Sequence, residues 1–505
     1  MILKSNKEEK IRKKFDICIV GSGIAASSLT VELLNSNLSF IIVEAGDLDT
    51  NSTSLIQKEI TGRDFGLVDT HSIEVGGSSS LWHGVLAPLD KIDFEKRSWV
   101  KNSGWPIKYN DLERYYKKAG KIFKIDNFNF FDKEKLPIKI ISNMLSLRFN
   151  KNILQYKIFQ RPTPTLKFKN ILLKKLKNSE SCHLLYNTAA LELIHNNSKK
   201  VKKLICGNKL GEKFNIEADT FVICAGALET PRLLLNSKVQ NKNIGKYLMD
   251  HPMGATHQIK FKHKQNMNFF NYFIYSKNLM IKAGLTFTES SQKNNKLPNH
   301  CFYTKAAYSK GIDLNYERVF LSLKAILKGD ISIRFLKNIL FNLNSVFSIF
   351  AIKFKFKTKY TDIFFVTEQI PDPESRITLS NITDNFGYPI AKINWKLSID
   401  DYDSVDNALN LLKTRVFDTN YAHHISRASR INWKNSLTSA AHHLGTARMS
   451  ETENNGVVDK NLKVFNINNL YICDGSVFPT AGNANSGFTI SALSCRLADH
   501  LKSHK

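Results

Sequence analysis

Acidic residues are scarce in this chain. Its 505 residues hold 45 Asp plus Glu against 72 Lys plus Arg, a formal net charge of +27. Such a surplus draws polyanions, either nucleic acid or an anionic membrane. A second account competes with that one. Lys, Asn, Ile and Phe are abundant together, and all have A/T-rich codons, so the charge also fits a solvated surface set by genome composition. Cysteine is sparse as well: seven residues, an odd number, with no CxxC pair. That excludes a disulfide scaffold and a metal framework, and it points to a reducing, cytoplasmic compartment. Long apolar runs are missing. No stretch reaches 18 uncharged apolar residues, so no transmembrane helix is expected. Residues Met1 to Lys14 are charged and lack the apolar centre of a signal peptide. Nucleic-acid signatures of the RRM, KH, zinc or helix-turn-helix type do not occur, and the lysines are spread out, so no nucleic-acid partner is expected.

The material for a large core is there, with 42% apolar and 11% aromatic residues. The length suggests two or three domains. Phe15 to Val20 is a short apolar run ending in glycine, which reads as a buried parallel strand. A helix follows from Ser27 to Leu34, and Phe40 to Glu44 is the next strand. Further along, Asp111 to Lys124 reads as a helix. Leu184 to Leu193, Val201 to Cys206, Phe214 to Ala218 and Phe221 to Gly226 read as strands. Pro231 is expected in the first turn of the helix that follows them. Residues 256–435 differ in texture, with alternating stretches that suggest antiparallel strands. Leu470 to Asp474 is a strand, and Ser486 to Leu501 a closing helix.

The chemistry begins in the first turn. Gly21, Gly23 and Ala26 fit GxGxxG/A. Gly21 allows a tight turn, Gly23 lets a pyrophosphate approach the backbone, and Ala26 allows helix and strand to pack closely. The helix N-terminus then presents free N–H groups to the phosphates. Glu44 stands 18 residues past Ala26, at a strand end where an acid accepts from ribose hydroxyls. An acid there favours FAD or NAD over NADP. The segment Gly76 to Gly84, containing Gly77, Ser78, Ser79, Trp82 and His83, offers many N–H donors and two aromatic rings. It suits a loop wrapped round a phosphate or a ring edge, or a plain turn. Asp474 at a strand end suits either a hydroxyl ligand or a helix cap. His442 and His443 lie in an unusual small-residue stretch, and Asn485 precedes the closing helix.

Taken in order, these pieces resemble the glucose–methanol–choline (GMC) oxidoreductases, in their sugar- and choline-dehydrogenase-like branch. The resemblance rests on Gly21 to Ala26 with Glu44, on Gly76 to Gly84, and on Ser103 to Ile107 with Leu112, Tyr115 and Tyr116. It continues through Cys224 to Arg232, Ile244 to Pro252, His442 with Gly445 and Thr446, Val457 to Asp459, and Asp474 to Ser476. It runs from about residue 14 to 502 and is weakest over 256–435. The fold it implies is an α/β FAD-binding domain of Rossmann-like, glutathione-reductase type with an inserted antiparallel α+β substrate domain. The expected division is 14–255 for the first flavin part, with a flavin-contacting loop at 70–110, 256–435 for the substrate, and 436–505 for the second flavin part.

The activity implied is oxidation of a CH–OH group, in a sugar, polyol or amino alcohol, to a carbonyl. His442 maps to the family's catalytic base and Asn485 to its partner, 43 residues on. An ordinary histidine pKa of about 6.5 suits a neutral base near pH 7. The cofactor set implied is Gly21, Gly23, Ala26, Glu44, Gly77, Ser78, Ser79, Trp82, His83, Ala190, Ala225, Asp474 and Gly475, with no metal. Trp82 matches the Trp that follows a flavin-linking His in pyranose-oxidase-like members. The linking position here is Leu81, so non-covalent FAD is expected. A dehydrogenase is expected over an oxidase, with an electron acceptor the sequence does not name. A flavin fold with non-redox or lost activity is the alternative. Residues 331–357 mix large apolar and basic side chains. Read as one helix, they place Phe335, Ile339, Val346 and Phe350 on one face, which suits either a peripheral membrane contact or a buried helix.

Overall fold

In the computed structural model, the residues described are 2–4, 14–48, 57–125, 127–138, 149–177, 179–195, 199–266, 273–307, 310, 315–327, 329, 331–354, 356–416, 422–427 and 437–504. Most of the charged N-terminal segment lies outside them.

The first sheet is α/β in character. Phe15–Val20 pairs in parallel with Phe40–Val43 on one side and with Ala218 to Ile223 on the other. Beyond Phe40–Val43 lie Cys182–Tyr186 and Ile2–Lys4, also parallel. Leu470–Ile472 joins from the far end of the chain, parallel to Phe221 to Ile223. These strands are buried on both faces. Helix Ile24–Leu33 lies on one face, and the closing helix Ser486–Ser503 packs along it through Ser28 and Ser491, whose hydroxyls are 2.8 Å apart.

Three local expectations change. The stretch 184–193 is two strands, not one. Asn187 adopts a left-handed φ of 57° and ends Cys182–Tyr186, and Thr188–His195 then starts at the opposite end of the sheet order. Conversely, 214–218 and 221–223 belong to one strand, Lys213–Ile223, which ends before 224–226. Its first half pairs antiparallel with Val201–Asn208 and its second half parallel with Phe15–Val20. Helix Ile24–Leu33 starts three residues earlier than its apolar spacing implied, because it begins directly on the glycine turn.

The helix after Lys213–Ile223 is also longer than expected. It runs Gly226–Asn236, which puts Pro231 inside it rather than in the first turn. A proline there cannot bond the carbonyl four residues back. That carbonyl, Ala227 O, instead accepts from the Thr446 hydroxyl at 2.7 Å. The threonine that follows Gly445 therefore completes a helix begun more than 200 residues earlier.

The second sheet is antiparallel. Its order is Phe273–Ser276, Leu279–Phe287, Cys301–Ala307, Lys357–Val366, Met253–Asn266 and Ala422–Arg427. Leu154–Pro162, from upstream of 256, pairs with Leu279–Phe287 along its whole length. A small third sheet joins Arg376–Thr383, Pro389–Asn394 and Lys58–Ile60 and packs on helix Gly226–Asn236.

Segment 331–357 is not one helix. It forms Ile333–Leu340 and Leu343–Lys353, broken at Phe341 and Asn342, and then enters strand Lys357–Val366. Phe335 and Val346 therefore sit on separate helices. No helix among the described residues is long and apolar enough to cross a membrane.

Candidate active site

One cavity of about 980 Å³ runs from the carboxyl ends of the parallel strands to the face of the antiparallel sheet. Its volume lies at the upper end of the range for ligand pockets. Of the fifteen residues picked from sequence, fourteen line it: Gly21, Gly23, Glu44, Gly77, Ser78, Ser79, Trp82, His83, Ala190, Ala225, His442, Asp474, Gly475 and Asn485. Ala26 does not. It is fully buried, and its small side chain serves helix packing instead.

The wide end is made of backbone. Gly21 has φ of 94°, and a Cβ there would stand 2.6 Å from Cys224 O, so the first glycine of the motif is sterically required. A Cβ on Gly23 would meet no protein atom within 4 Å. Space is therefore kept open in front of the helix. Gly23 caps helix Ile24–Leu33, and no side chain bonds its first turn, so its N–H groups face the cavity.

Ser22, between the two glycines, ties the cradle together. Its N–H and hydroxyl donate to Glu44 Oε2 at 2.9 and 2.7 Å, and its oxygen accepts from Gly76 N at 2.9 Å. Glu44 Oε1 accepts from Gly46 N at 2.8 Å. Burial raises the Glu44 pKa, against these hydrogen bonds. The second loop, Gly77–Ser80, is a single tight turn held by Ser79, which donates to Gly76 O and accepts from Phe168 N. Trp82 Nε1 donates to Leu166 O at 2.8 Å, which fixes its ring at the cavity wall. Asp474 behaves as a cap. It accepts from Gly226 N, the Thr230 hydroxyl and Ser476 N at 2.9, 2.7 and 2.8 Å.

The other end is made of side chains. Asn485 is the N-cap residue of the closing helix, yet its side chain makes no capping bond. Its amide Nδ2 lies 3.2 Å from His442 Nε2 instead. The other ring nitrogen, His442 Nδ1, is 2.8 Å from Nδ1 of His251. His251 was visible in the Ile244 to Pro252 stretch, but nothing local marked it for this site.

These contacts fix the proton positions. His251 Nε2 faces two carbonyls, Ala481 O at 3.2 Å and Gly482 O at 3.0 Å, so it must carry a hydrogen. Burial lowers the His251 pKa, so the ring is neutral and its Nδ1 is an acceptor. The hydrogen between the two Nδ1 atoms therefore belongs to His442. That leaves a lone pair on His442 Nε2, which accepts from Asn485 Nδ2 at 3.2 Å at the cavity wall. Burial first, and then His251, lower the His442 pKa to about 3. His443, pushed down to about 4 by burial, points elsewhere: it meets Phe65 edge-on and lies 3.9 Å from Asp250.

The surrounding network holds both rings. Asp250 accepts from the backbone N–H groups of His251, Ala440 and His442 at 2.6, 3.2 and 3.1 Å, and from the Ser439 hydroxyl. Burial opposes ionisation of Asp250, but His443, His442 and Ser439 outweigh it and hold its pKa low. The loop carrying Ala481 to Asn485 is pinned by Trp105 Nε1 to the Thr480 hydroxyl at 2.9 Å and by Glu368 accepting from Gly482 N at 3.3 Å. Glu368 is in turn clamped by a buried bidentate pair with Arg97, at 2.7 and 2.6 Å. Trp105 thus gives the Ser103 to Ile107 segment a physical role.

Two sequence models of the GMC oxidoreductases match, the N-terminal one over residues 167–253 and the C-terminal one over 371–494. The chain belongs to the GMC oxidoreductase family. Among curated relatives of this GMC protein, the fructose dehydrogenase large subunit of Gluconobacter japonicus is 25% identical over 300 residues, 57% of this chain and 48% of that one. The 2-methyl-1,2-propanediol dehydrogenase of Mycolicibacterium austroafricanum is 28% identical over 142 residues, 28% of this chain and 24% of that one. The chain thus matches about half the length of the first relative and a quarter of the second. The crystal structure of pyridoxine 4-oxidase from Mesorbium loti shares the fold, with a TM-score of 0.61 and 16% identity over 97% of this chain and 100% of that one. A GMC fold holds FAD, and this cradle fits it. The space in front of Gly23, the uncapped helix start and Glu44 at the strand end together match a dinucleotide's pyrophosphate and ribose.

Proposed function

We propose that this GMC protein oxidises the CH–OH group of a small alcohol, of the sugar, polyol or amino-alcohol class, to a carbonyl. One observation carries the reading: His442, with its Nε2 lone pair held toward Asn485 Nδ2, lines the same cavity as the dinucleotide cradle. Gly21, Gly23, Glu44, Ala190 and Ala225 would hold the nucleotide part of FAD. Gly77, Ser78, Ser79, Trp82, His83 and Gly475 would meet the flavin part. When bound, FAD supplies the hydride acceptor.

The chain's own groups handle the proton and the geometry. His442 takes the hydroxyl proton at Nε2 as the C–H hydrogen leaves with its electron pair and the C=O bond forms. The Asn485 amide donates to the substrate oxygen and fixes its orientation. His251 is a positioning residue. It accepts the His442 Nδ1 hydrogen, and that bond becomes charge-assisted once His442 is protonated.

Attachment of FAD is non-covalent in this reading, since Leu81 offers no nucleophilic atom. The enzyme is a dehydrogenase in this reading, as are two of its relatives, while two others are long-chain-alcohol oxidases. Residues 14–255 and 436–505 serve the flavin and 256–435 the substrate, with strand Leu154–Pro162 and hairpin 376–394 crossing that division. Seven buried cysteines support a reducing, cytoplasmic setting. Membrane contact through 331–357 belongs to the same reading. Its support is the apolar surface of that segment.

The deciding experiment is anaerobic bleaching of the purified holoprotein's flavin absorbance by a panel of polyols, sugars, amino alcohols and choline. Bleaching by at least one, abolished in His442→Ala, is expected. Bound flavin that none of them bleaches would overturn the reading and leave a non-redox flavin fold.

A further inference from the structure

We propose that helices Tyr316–Leu327, Ile333–Leu340 and Leu343–Lys353 form one docking surface for an anionic lipid bilayer, on which the protein lies without spanning it. The inference rests on, and narrows, the membrane contact named in the functional reading. Among the described residues, 21 large apolar side chains are exposed, and 13 of them fall between Phe320 and Phe356. Leu327, Ile333 and Phe341 are 82%, 73% and 81% exposed. Helix Ile333–Leu340 buries none of its residues. Ordinary soluble surfaces scatter such side chains singly, and a concentrated patch marks a contact surface.

The layer is built, not frayed. Ser332 caps Ile333–Leu340 by accepting from Phe335 N. Asn338 Nδ2 donates to the Ser322 hydroxyl at 3.1 Å and joins two of the helices. Beneath the exposed face, Val319, Ile349 and Ala351 are buried, and Leu343–Lys353 lies against strand Cys301–Ala307. At the edge, the rings of Phe350, Phe354 and Phe356 stack in sequence, 5.7 and 6.0 Å apart. Aromatic rings of this kind, half in water, suit a headgroup boundary.

Charge selects the occupant. From Tyr316 to Thr361 the sequence contains two acids, Glu317 and Asp330, against nine Lys or Arg. Arg318, Lys324, Arg334, Lys337, Lys353 and Lys357 are exposed around the apolar helices. Two copies of this face would oppose like charges, which disfavours self-association. An anionic bilayer satisfies both features, taking the apolar side chains between its acyl chains and the cations at its phosphates. Since none of the described helices is long and apolar enough to cross, the protein rests on the surface.

The test is flotation of the full-length holoprotein with vesicles of phosphatidylcholine alone or mixed with phosphatidylglycerol. Binding to the mixed vesicles is expected, at least about tenfold weaker on phosphatidylcholine alone, and weakened as salt rises from about 0.1 M to about 1 M. The exposed triple variant Leu340→Ser, Phe341→Ser and Phe347→Ser, and separately the pair Arg334→Glu and Lys337→Glu, should each lose at least about tenfold of that binding. Both should keep their flavin content. Wild-type protein that fails to float, or variants that float as well as it does, would overturn the proposal. So would a dimer in sedimentation that the triple variant turns into monomer, because a second copy would then occupy the face. Flotation needs no turnover, so failure of any alcohol to bleach the flavin would leave this result standing.

Discussion

At one end of the cavity the walls are backbone. Gly21, Gly23 and Gly77 keep Cβ atoms out of the way, and one serine, Ser22, ties three segments within hydrogen-bond distance. At the other end the walls are side chains. Two imidazoles, an asparagine and a buried aspartate are held by partners from opposite parts of the chain. The backbone end is built around residues 20–84, with Cys224 set against Gly21, and works by leaving room. The side-chain end joins positions 191 residues apart and works by fixing protons. Binding and chemistry are therefore separable in this molecule, and each can be damaged without the other.

The largest expected effect falls on the side-chain end alone. His442→Ala should slow anaerobic flavin reduction by about 10²–10⁴-fold, the usual loss for a missing general base. Its flavin absorbance should stay normal, and a rate near wild type would refute the division. The reverse variant is Gly23→Val. A Cβ there meets no protein atom within 4 Å, so the fold should survive while the flavin is lost on purification. A yellow, fully loaded Gly23→Val protein would show that the cradle is not where the dinucleotide sits.

A finer cut separates His251 from His442. With the His442 pKa held at about 3, its neutral form persists as the pH falls. The flavin-reduction rate should then stay flat from pH 8 to about pH 5, with no acid limb at the ordinary histidine value of about 6.5. His251→Ala removes a group that lowers the His442 pKa, so an acid limb should move up towards that value. The rate at pH 8 should fall about tenfold as the proton position loosens. A fall in rate without the shifted limb would assign His251 to packing. The smallest effect is expected at Thr446→Val, which leaves Ala227 O without its donor. It should lower stability to denaturant by about 1–3 kcal/mol. Flavin reduction should change little.

Much of this was legible along the chain because its causes are local. The first strand, glycine turn and Glu44 follow from short apolar runs and small residues, and the structure keeps them in place. The closing helix begins at Ser486 in both readings. Local pattern failed where partners were remote. Nothing near Tyr186 announces that the strand ends there, since the break serves a sheet extension whose other members lie downstream. Pro231 looked like a first-turn residue because its replacement donor, Thr446, is 219 positions from the carbonyl it serves. The periodicity of 331–357 suited one helix, but the chain breaks at Phe341 and Asn342, and the second helix packs on strand Cys301–Ala307.

By itself, the sequence determined which groups the protein possesses and, through steric rules acting over a few residues, the shape of the dinucleotide cradle. It also determined the excess of cations, though not where they gather. Only the tertiary structure decided that His251 stands behind His442, because two carbonyls of a distant loop choose the tautomer of one ring and through it the lone pair of the other. It alone decided, too, that 13 large apolar side chains between Phe320 and Phe356 remain exposed, since exposure depends on what the rest of the folded chain brings against a segment.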